Sequence, residues 1–169
     1  MKKYIYLLFV IAFAISFQSC DKYEPGGTAV QDMAGDWWVT YEYESSPGIW
    51  KDAGLGKPVT LTTYNTAANK NTEMWVNDNG KFWNFKSVVN VDYGAKTFLT
   101  KDSVSTNSTS SPTEKVLFTN GKVLKGAAKT PSGTVADSIV FYVEFNDDSA
   151  PTIYKVSGFR KTGFSEDNY

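Results

Sequence analysis

The sequence predicts an all-β domain, an antiparallel up-and-down β-barrel of about eight strands, with a β-sandwich as the alternative. Three observations lead to this prediction. Aromatic residues make up 15% of the chain, and strands favour aromatic and β-branched side chains. No stretch after residue 27 repeats its apolar residues every 3.6 positions, as a surface helix would. Short alternating runs, separated by turn residues, cover nearly all of that region.

The first strand is predicted after Gly35, where apolar and polar residues alternate. Alternate positions share one face of a strand, and the set expected to face inward is Trp37, Val39, Tyr41 and Tyr43. Glu42 and Glu44 belong to the opposite face, which is expected to meet solvent. A long loop is predicted from Ser45 to Lys57 because Pro and Gly recur in it, and Trp50 is expected to be exposed there.

The remaining strands follow from the same alternation. In order they are Val59–Tyr64, Glu73–Asn77, Lys81–Val91, Lys96–Lys101, Lys115–Thr119, Lys122–Ala127, Ser138–Phe145 and Thr152–Lys161. Asp78-Asn79-Gly80 and Asn120-Gly121 predict tight hairpins, because Asn and Gly tolerate positive φ. The stretch from Ser103 to Thr113, nearly all Ser, Thr and Asn, predicts a flexible loop. Hairpin connections leave no room for crossover helices, so the sheet is expected to be antiparallel.

The first strand and the strand Ser138–Phe145 would bring apolar side chains together inside the barrel. The candidate ligand-binding residues on them are Trp37, Tyr41, Tyr43, Phe141, Val143 and Phe145. A small closed barrel is either filled by such side chains or holds one small ligand, and residue types do not distinguish the two. A ligand would be a small apolar molecule, because the acidic residues of both strands fall on the outward face.

Residues 1–19 have the features of a secretory signal peptide. Two lysines precede an apolar run, Tyr4–Phe17, which is too short for a membrane-spanning helix of roughly 20 residues. The chain's one cysteine follows a small residue, and Phe17-Gln18-Ser19-Cys20 resembles a bacterial lipobox. Cys20 is therefore the expected lipidation site, with ordinary cleavage and a free thiol as the alternative.

The expected domains are the signal peptide 1–19, a lipidated flexible tether 20–27 and a barrel domain 28–169. Two or more acyl chains make membrane anchoring stable. The protein is therefore expected to be exported and held by its N-terminal lipid, with the outer membrane as the expected site and its periplasmic or surface face left open.

The absence of histidine from the chain limits its chemistry. It excludes Ser-His-Asp and Cys-His catalysis and any histidine-based zinc site. Carboxylate pairs are expected on an outward face, in a loop and in the tail, at Glu42/Glu44, Asp147-Asp148 and Glu166-Asp167. No catalytic residue, metal or cofactor is predicted from them. Without a basic stripe, nucleic-acid binding is not expected either.

The two ends of the barrel domain carry a recognisable pair of motifs. Gly35-Asp36-Trp37 enters the first strand, and Arg160 lies near the end of the last. This resembles the lipocalin, or calycin, pattern, in which an Arg from the last strand covers the Trp of the first. Neighbouring strands at a barrel closure allow such stacking. The resemblance implies that Trp37 and Arg160 are a structural pair, the alternative being an ordinary core aromatic and an ordinary surface charge.

A longer resemblance covers the same two ends. Residues 26–37, Gly26-Gly27-Thr28-Ala29-Val30-Gln31-Asp32-Met33-Ala34-Gly35-Asp36-Trp37, are followed far downstream by Gly158-Phe159-Arg160-Lys161-Thr162-Gly163-Phe164. Together with the lipobox they resemble the Bacteroidota lipoprotein family described as lipid-binding putative hydrolases. The resemblance implies a lipocalin-like barrel, membrane anchoring and a lipid ligand. It transfers no catalytic motif onto these residues.

Asp-Ser followed by an aliphatic residue occurs three times in the chain. The pattern resembles the O-glycosylation signal of exported Bacteroidota proteins, and its serines are Ser103, Ser138 and Ser149. The alternative is turn chemistry, in which Asp and Ser bond the local backbone.

Three functions stay open on these grounds. The first is a lipid-anchored envelope protein whose barrel binds a small apolar molecule or lipid. The second is a surface scaffold with a filled barrel, whose loops around Trp50 and Ser103–Thr113 contact a protein or glycan partner. The third, a distant alternative, is a carboxylate-dependent hydrolase.

Overall fold

The computed structural model describes residues 26–100, 105–106, 109 and 114–169. The expected signal peptide, the lipidation site Cys20 and the candidate glycosylation site Ser103 lie outside these residues. Within the described ranges, no helix has the length and hydropathy that crossing a bilayer requires.

The described residues form ten strands in one sheet and a short 3₁₀ helix, Ser165–Asp167. The strands are β1 Gly35–Ser46, β2 Ile49–Asp52, β3 Val59–Asn65, β4 Glu73–Asn77, β5 Lys86–Asp92, β6 Thr97–Leu99, β7 Ser105–Thr106, β8 Lys115–Lys129, β9 Val135–Phe145 and β10 Tyr154–Arg160.

Eight of these strands close into an antiparallel barrel. Their order is β10-β9-β8-β6-β5-β4-β3-β1, and β1 pairs in turn with β10. The closing register runs from Trp37 opposite Arg160 to Tyr43 opposite Tyr154. β2 continues the sheet beside the far half of β1, and β7 lies off the ring against β8. The predicted up-and-down barrel is confirmed, and the sandwich alternative is wrong.

The tight hairpin predicted at Asn120-Gly121 is wrong, because β8 runs straight through it. The pairing of β8 with β9 shifts register between Thr119 and Lys122, and Asn120 has a φ of +52°. A Cβ on Gly121 would lie 2.5 Å from the Phe98 ring and 2.6 Å from the Phe98 carbonyl oxygen. The two residues therefore form a bulge that lets β6 approach closely, since a bulge uses the same positive φ as a turn.

Three predicted boundaries also need correction. The strand predicted at Lys81–Val91 begins only at Lys86, and the residues before it form a loop. The loop predicted from Ser45 to Lys57 contains β2, which forms a hairpin with β1. The loop predicted from Ser103 to Thr113 contains β7. The two short strands lie beside longer ones whose edges offer unpaired backbone groups, a pairing that polar composition does not reveal.

The interior of the barrel is filled by side chains. The largest fully buried ones are Met33, Trp37, Tyr41, Leu61, Met74, Phe85, Phe98, Phe118, Ile139 and Phe141. Val143 and Phe145 are also buried, whereas Tyr43 is half-exposed near the end of the β1–β10 pairing. Trp38, on the outward face, is only 8% exposed because the Tyr169 ring and the Lys161 ammonium cover it from outside. Each buried side chain of this size contributes about 1.5–3 kcal/mol to folding.

Candidate ligand site at the mouth of the barrel

One end of the barrel, called here the floor, is closed by Arg160 and Trp37. The guanidinium carbon of Arg160 lies 4.6 Å from the centre of the Trp37 ring. Arg160 Nη2 donates to the Asp32 carbonyl at 3.0 Å, Nη1 donates to the Ala34 carbonyl, and Nε lies 3.2 Å from Asp137 Oδ2. The cation is thus fixed over the indole by backbone acceptors and one carboxylate.

The N-terminal turn completes the floor. The Trp37 indole donates to Thr63 Oγ1 at 2.9 Å, and that hydroxyl donates to the Met33 carbonyl at 2.6 Å. The side chains of Val30 and Met33 are completely buried. Because protein side chains fill this end, Trp37 is part of the floor and cannot contact a ligand.

The opposite end, called here the mouth, is lined by a cluster of five aromatic rings. We define this mouth cluster as Tyr41, Phe82, Trp83, Phe145 and Tyr154. Phe82 is at its centre: its ring centroid lies 4.4 Å from that of Tyr41, 5.0 Å from Tyr154, 5.6 Å from Trp83 and 6.2 Å from Phe145. Phe82 and Trp83 are half-exposed, whereas Tyr41 beneath them is fully buried.

The loop that supplies Phe82 and Trp83, residues 78–85, is held by one buried carboxylate. Asp78 Oδ1 accepts a hydrogen bond from the Gly80 backbone N–H at 2.9 Å. Its Oδ2 accepts three more, from the backbone N–H groups of Phe82, Trp83 and Asn84 at 2.8–3.1 Å. Phe82, Trp83 and Asn84 thus give their N–H groups to the carboxylate and not to a neighbouring strand, which explains why β5 starts late.

Two further carboxylates, both in the β9–β10 loop, hold rings of the mouth cluster. Trp83 Nε1 donates to Asp147 Oδ1 at 3.0 Å, and the Trp83 and Phe145 rings stack in parallel with centroids 4.6 Å apart. The Tyr154 hydroxyl donates to Asp148 Oδ2 at 3.0 Å. Burial raises the pKa of this hydroxyl, and the bond to Asp148 raises it further. The β9–β10 loop thus fixes the rim against which the 78–85 loop rests.

The hydroxyl of Tyr41 is the unusual atom of the site. It is buried and has no hydrogen-bond partner among the residues that the structure describes, whereas buried polar groups are almost always bonded. Burial raises the pKa of Tyr41 well above its usual range, and the nearby charge of Asp78 raises it further. At neutral pH the group is therefore a protonated donor, with no acceptor in the described part of the chain.

A cleft of about 230 Å³ opens beside the mouth cluster, between β8 and the β9–β10 loop. Its lining includes Lys115, Phe145, Asp148 and Pro151. It shares Phe145 with the mouth cluster and Asp148 with the bond to Tyr154. By itself the cleft is smaller than ligand pockets usually are, about 300–1,000 Å³. A ligand would therefore also need the volume that one side chain of the mouth cluster now fills.

The structure spreads the six candidate ligand residues over the whole barrel. Tyr41 and Phe145 reach the mouth, Phe141 and Val143 pack inside, Trp37 closes the floor, and Tyr43 is half-exposed. The sequence missed Phe82, Trp83 and Tyr154. An adjacent Phe-Trp pair just after Asp78-Asn79-Gly80 was the available signal, because two neighbouring large aromatics cannot both face inward from one strand.

The other predicted sites fall on outer surfaces. Glu42 pairs with Lys155 at 3.1 Å, and Glu44 accepts a hydrogen bond from the Gly48 N–H at 2.6 Å. Ser138 donates to the Gly158 carbonyl at 3.0 Å, and Ser149 is exposed in the β9–β10 loop. No group of three or more metal-ligating side chains occurs within the described residues.

Comparison with known proteins identifies one family. A family model described as lipid-binding putative hydrolase matches residues 22–165. None of the curated proteins matches the chain. A crystal structure from Bacteroides ovatus, a structural-genomics protein of unknown function at 2.40 Å resolution, is similar with 14% identity and a TM-score of 0.45. The match covers 80% of this chain and 43% of that one, so this chain spans less than half of that protein's length.

Proposed function

The chain belongs to the lipid-binding putative hydrolase family, and from that premise we propose that it is a lipid-anchored envelope protein that binds one small apolar molecule or lipid at the mouth of its barrel. The mouth cluster carries the proposal. It gathers five aromatic rings at one end of the barrel, and two of them are half-exposed on a loop. Aromatic surfaces with a few polar groups are what small apolar ligands meet in their sites.

Anchoring would leave this mouth accessible. The described chain begins at Gly26, close to the turn that completes the floor. If Cys20 carries the lipid, the tether from there spans at most about 20 Å. The floor would then be tethered nearest the membrane, and the mouth would open away from it. Such a protein would take its ligand from the aqueous side or from a partner, rather than directly from the bilayer.

The experiment is to express residues 20–169, which include every described strand, purify them without detergent and identify bound lipids by mass spectrometry of an organic extract. A panel of fatty acids, fatty alcohols and sterols is then titrated against tryptophan emission. We expect an emission change that Trp83→Phe removes and that Trp50→Phe, on the outer face, retains. No extracted lipid and no response to any panel member would contradict the proposal.

A second candidate function is favoured by the outer surface around Trp50. The Trp50 and Tyr142 rings lie 5.6 Å apart, and Lys155 Nζ lies 5.7 Å from the Trp50 ring. A cleft of about 280 Å³ adjoins them, with Glu44 and Asn120 in its lining. Half-buried rings beside polar side chains suit a protein or glycan partner. Wild-type binding to an immobilised glycan set that Trp50→Ala abolishes would support this scaffold function.

We propose no hydrolytic role for these residues. The chain contains no histidine, and Glu42 and Glu44 are engaged in an ion pair and a turn on the outer face. A carboxylate-dependent reaction would need two carboxyl groups facing one substrate.

A further inference from the structure

Phe82 occupies a position inside the mouth cluster that a ligand could take. Its ring stacks on Tyr41 and contacts the rings of Trp83, Phe145 and Tyr154. Three of these four neighbours come from the barrel strands, whereas Phe82 comes from the 78–85 loop. Its side chain is half-exposed, so it can leave without unpacking the interior. The cage that it would leave behind is built by the barrel itself.

The Tyr41 hydroxyl supplies an independent observation at the same place. It is fully buried and has no acceptor among the described residues, and the ring that carries it stacks on the Phe82 ring. Asp78, its charged neighbour, already receives four backbone N–H groups. An unused buried donor is unfavourable, and a ligand oxygen that reached it once Phe82 had moved away would satisfy it.

The charges around the mouth restrict which ligand oxygen could accept the hydrogen bond from Tyr41. Asp78 lies close enough to Tyr41 to affect its hydroxyl, and Asp147, Asp148 and Glu144 lie at the rim or in the adjoining cleft. Among the described residues, Lys115 is the one cation in the lining of that cleft. This excess of negative charge disfavours a carboxylate or phosphate head group. The oxygen is therefore expected to be uncharged.

We propose that Phe82 is a displaceable plug, and that the ligand of the mouth is a neutral amphiphile whose apolar part replaces the Phe82 side chain while its uncharged oxygen accepts a hydrogen bond from Tyr41. Long-chain alcohols, acylglycerols and sterols belong to this class, and fatty acid anions do not. The adjoining cleft shares Phe145 with the cluster, so the apolar chain of a ligand would extend past that ring into the cleft. The inference rests on the proposed function, because it assigns the ligand class of that same site.

The test compares 1-dodecanol with dodecanoate, two probes of equal chain length, using residues 20–169 at pH 7.5. Calorimetry should give about tenfold or more weaker binding for the anion. Tyr41→Phe should weaken dodecanol binding about three- to tenfold, because one hydrogen bond is lost. Phe82→Ala should strengthen it about two- to tenfold, because the ring no longer competes. Tyr142→Phe and Phe164→Ala, at positions outside the mouth, should leave it unchanged.

The outcomes separate this inference from the proposed function. Equal binding of the two probes, or dodecanol binding insensitive to Tyr41→Phe, would overturn the neutral-amphiphile assignment while lipid binding stood. A structure of the complex in which the Phe82 side chain kept its position would overturn the proposal that Phe82 is a displaceable plug. Failure of both probes to bind the wild type and Phe82→Ala would overturn the whole inference, and the lipid extraction would then decide separately on the proposed function.

Discussion

The guanidinium carbon of Arg160 lies 4.6 Å from the centre of the Trp37 ring, and the two residues are register partners where β1 meets β10. The contact depends on Gly35, because a Cβ at that position would overlap Arg160 Nη1. One residue therefore joins the first strand, the last strand and the N-terminal turn. Substitutions of floor residues therefore test how the barrel closes.

Replacing Arg160 by Ala should lower the free energy of unfolding by about 1–2 kcal/mol. The change removes the stacked cation and leaves the Asp32 and Ala34 carbonyls without their donor. Urea unfolding followed by tryptophan emission measures it. Lys161→Ala is the matched control. Lys161 Nζ lies 4.4 Å from the Trp38 ring on the outer side, so its removal should lower the free energy of unfolding by less. An equal loss in both variants would contradict a special role for Arg160.

Gly158→Ala should damage the barrel closure more severely. A Cβ at Gly158 would overlap the Trp38 carbonyl and lie 2.8 Å from the Val39 Cα, both backbone atoms of β1. Backbone cannot rotate away, so β10 must separate from β1, at a cost of about 3 kcal/mol. Gly26→Ala is the control and should be neutral, because no atom of the described residues beyond its chain neighbour lies within 4 Å of the added Cβ. Thermal unfolding of the two variants gives the comparison.

The fold could be predicted because it depends on patterns that lie in the sequence. Two-residue alternation placed Tyr41 and Phe145 inward, and the Gly35-Asp36-Trp37 motif with Arg160 indicated closure. The bulge at Asn120-Gly121 could not be separated from a hairpin, because both place Asn120 at positive φ. What decides between them is the close approach of Phe98, which comes from another strand.

The candidate site was less predictable for a similar reason. Phe82 and Trp83 fall in a run that looks like a strand, and only the capture of their backbone N–H groups by Asp78 turns that run into a loop. Asp147 becomes a partner of Trp83 only after the barrel closes, since the two are 64 residues apart in the chain. Local patterns carry no information about such contacts.

Asp78→Asn should loosen the 78–85 loop. An amide has one acceptor oxygen instead of two and turns an NH₂ group toward backbone donors. We expect faster amide hydrogen exchange at Phe82, Trp83 and Asn84, and a loss of about 2–3 kcal/mol in the free energy of unfolding. Asp92→Asn is the control, because Asp92 receives a single N–H, from Ala95, in another turn. Unchanged exchange at Phe82 and Trp83 would show that the carboxylate does not hold the loop.

Asp167 should make stability depend on pH in the acid range. Burial raises its pKa, but hydrogen bonds from Thr162 and Ser132 lower it by more, so the pKa lies below its ordinary value of 3.8. The unfolded chain therefore binds this proton more readily. The stabilisation is present above pH 3.8 and is lost as the pH falls through the folded-state pKa. Asp167→Asn should be less stable than wild type at pH 7, with the gap closing below pH 4.

Urea unfolding between pH 7 and pH 2.5 measures that gap. Ser165→Ala, at an exposed position in the same 3₁₀ helix that does not titrate, should show no such trend. If the free energies of unfolding of wild type and Asp167→Asn differed by the same amount from pH 7 to pH 2.5, the Asp167 carboxyl would have the same pKa in the folded and unfolded protein.

Cys20→Ala should abolish membrane anchoring in the native host. The proposal rests on the apolar run Tyr4–Phe17 followed by Gln18-Ser19-Cys20, the chain's one cysteine. Without the thiol no acyl chain can attach, so unprocessed precursor should accumulate and labelling by a radioactive fatty acid should disappear. Since stable anchoring needs more than one acyl chain, the wild type should stay with membranes after a high-salt wash. Fatty acid label on the Cys20→Ala protein would place the lipid elsewhere and remove the basis for the tether.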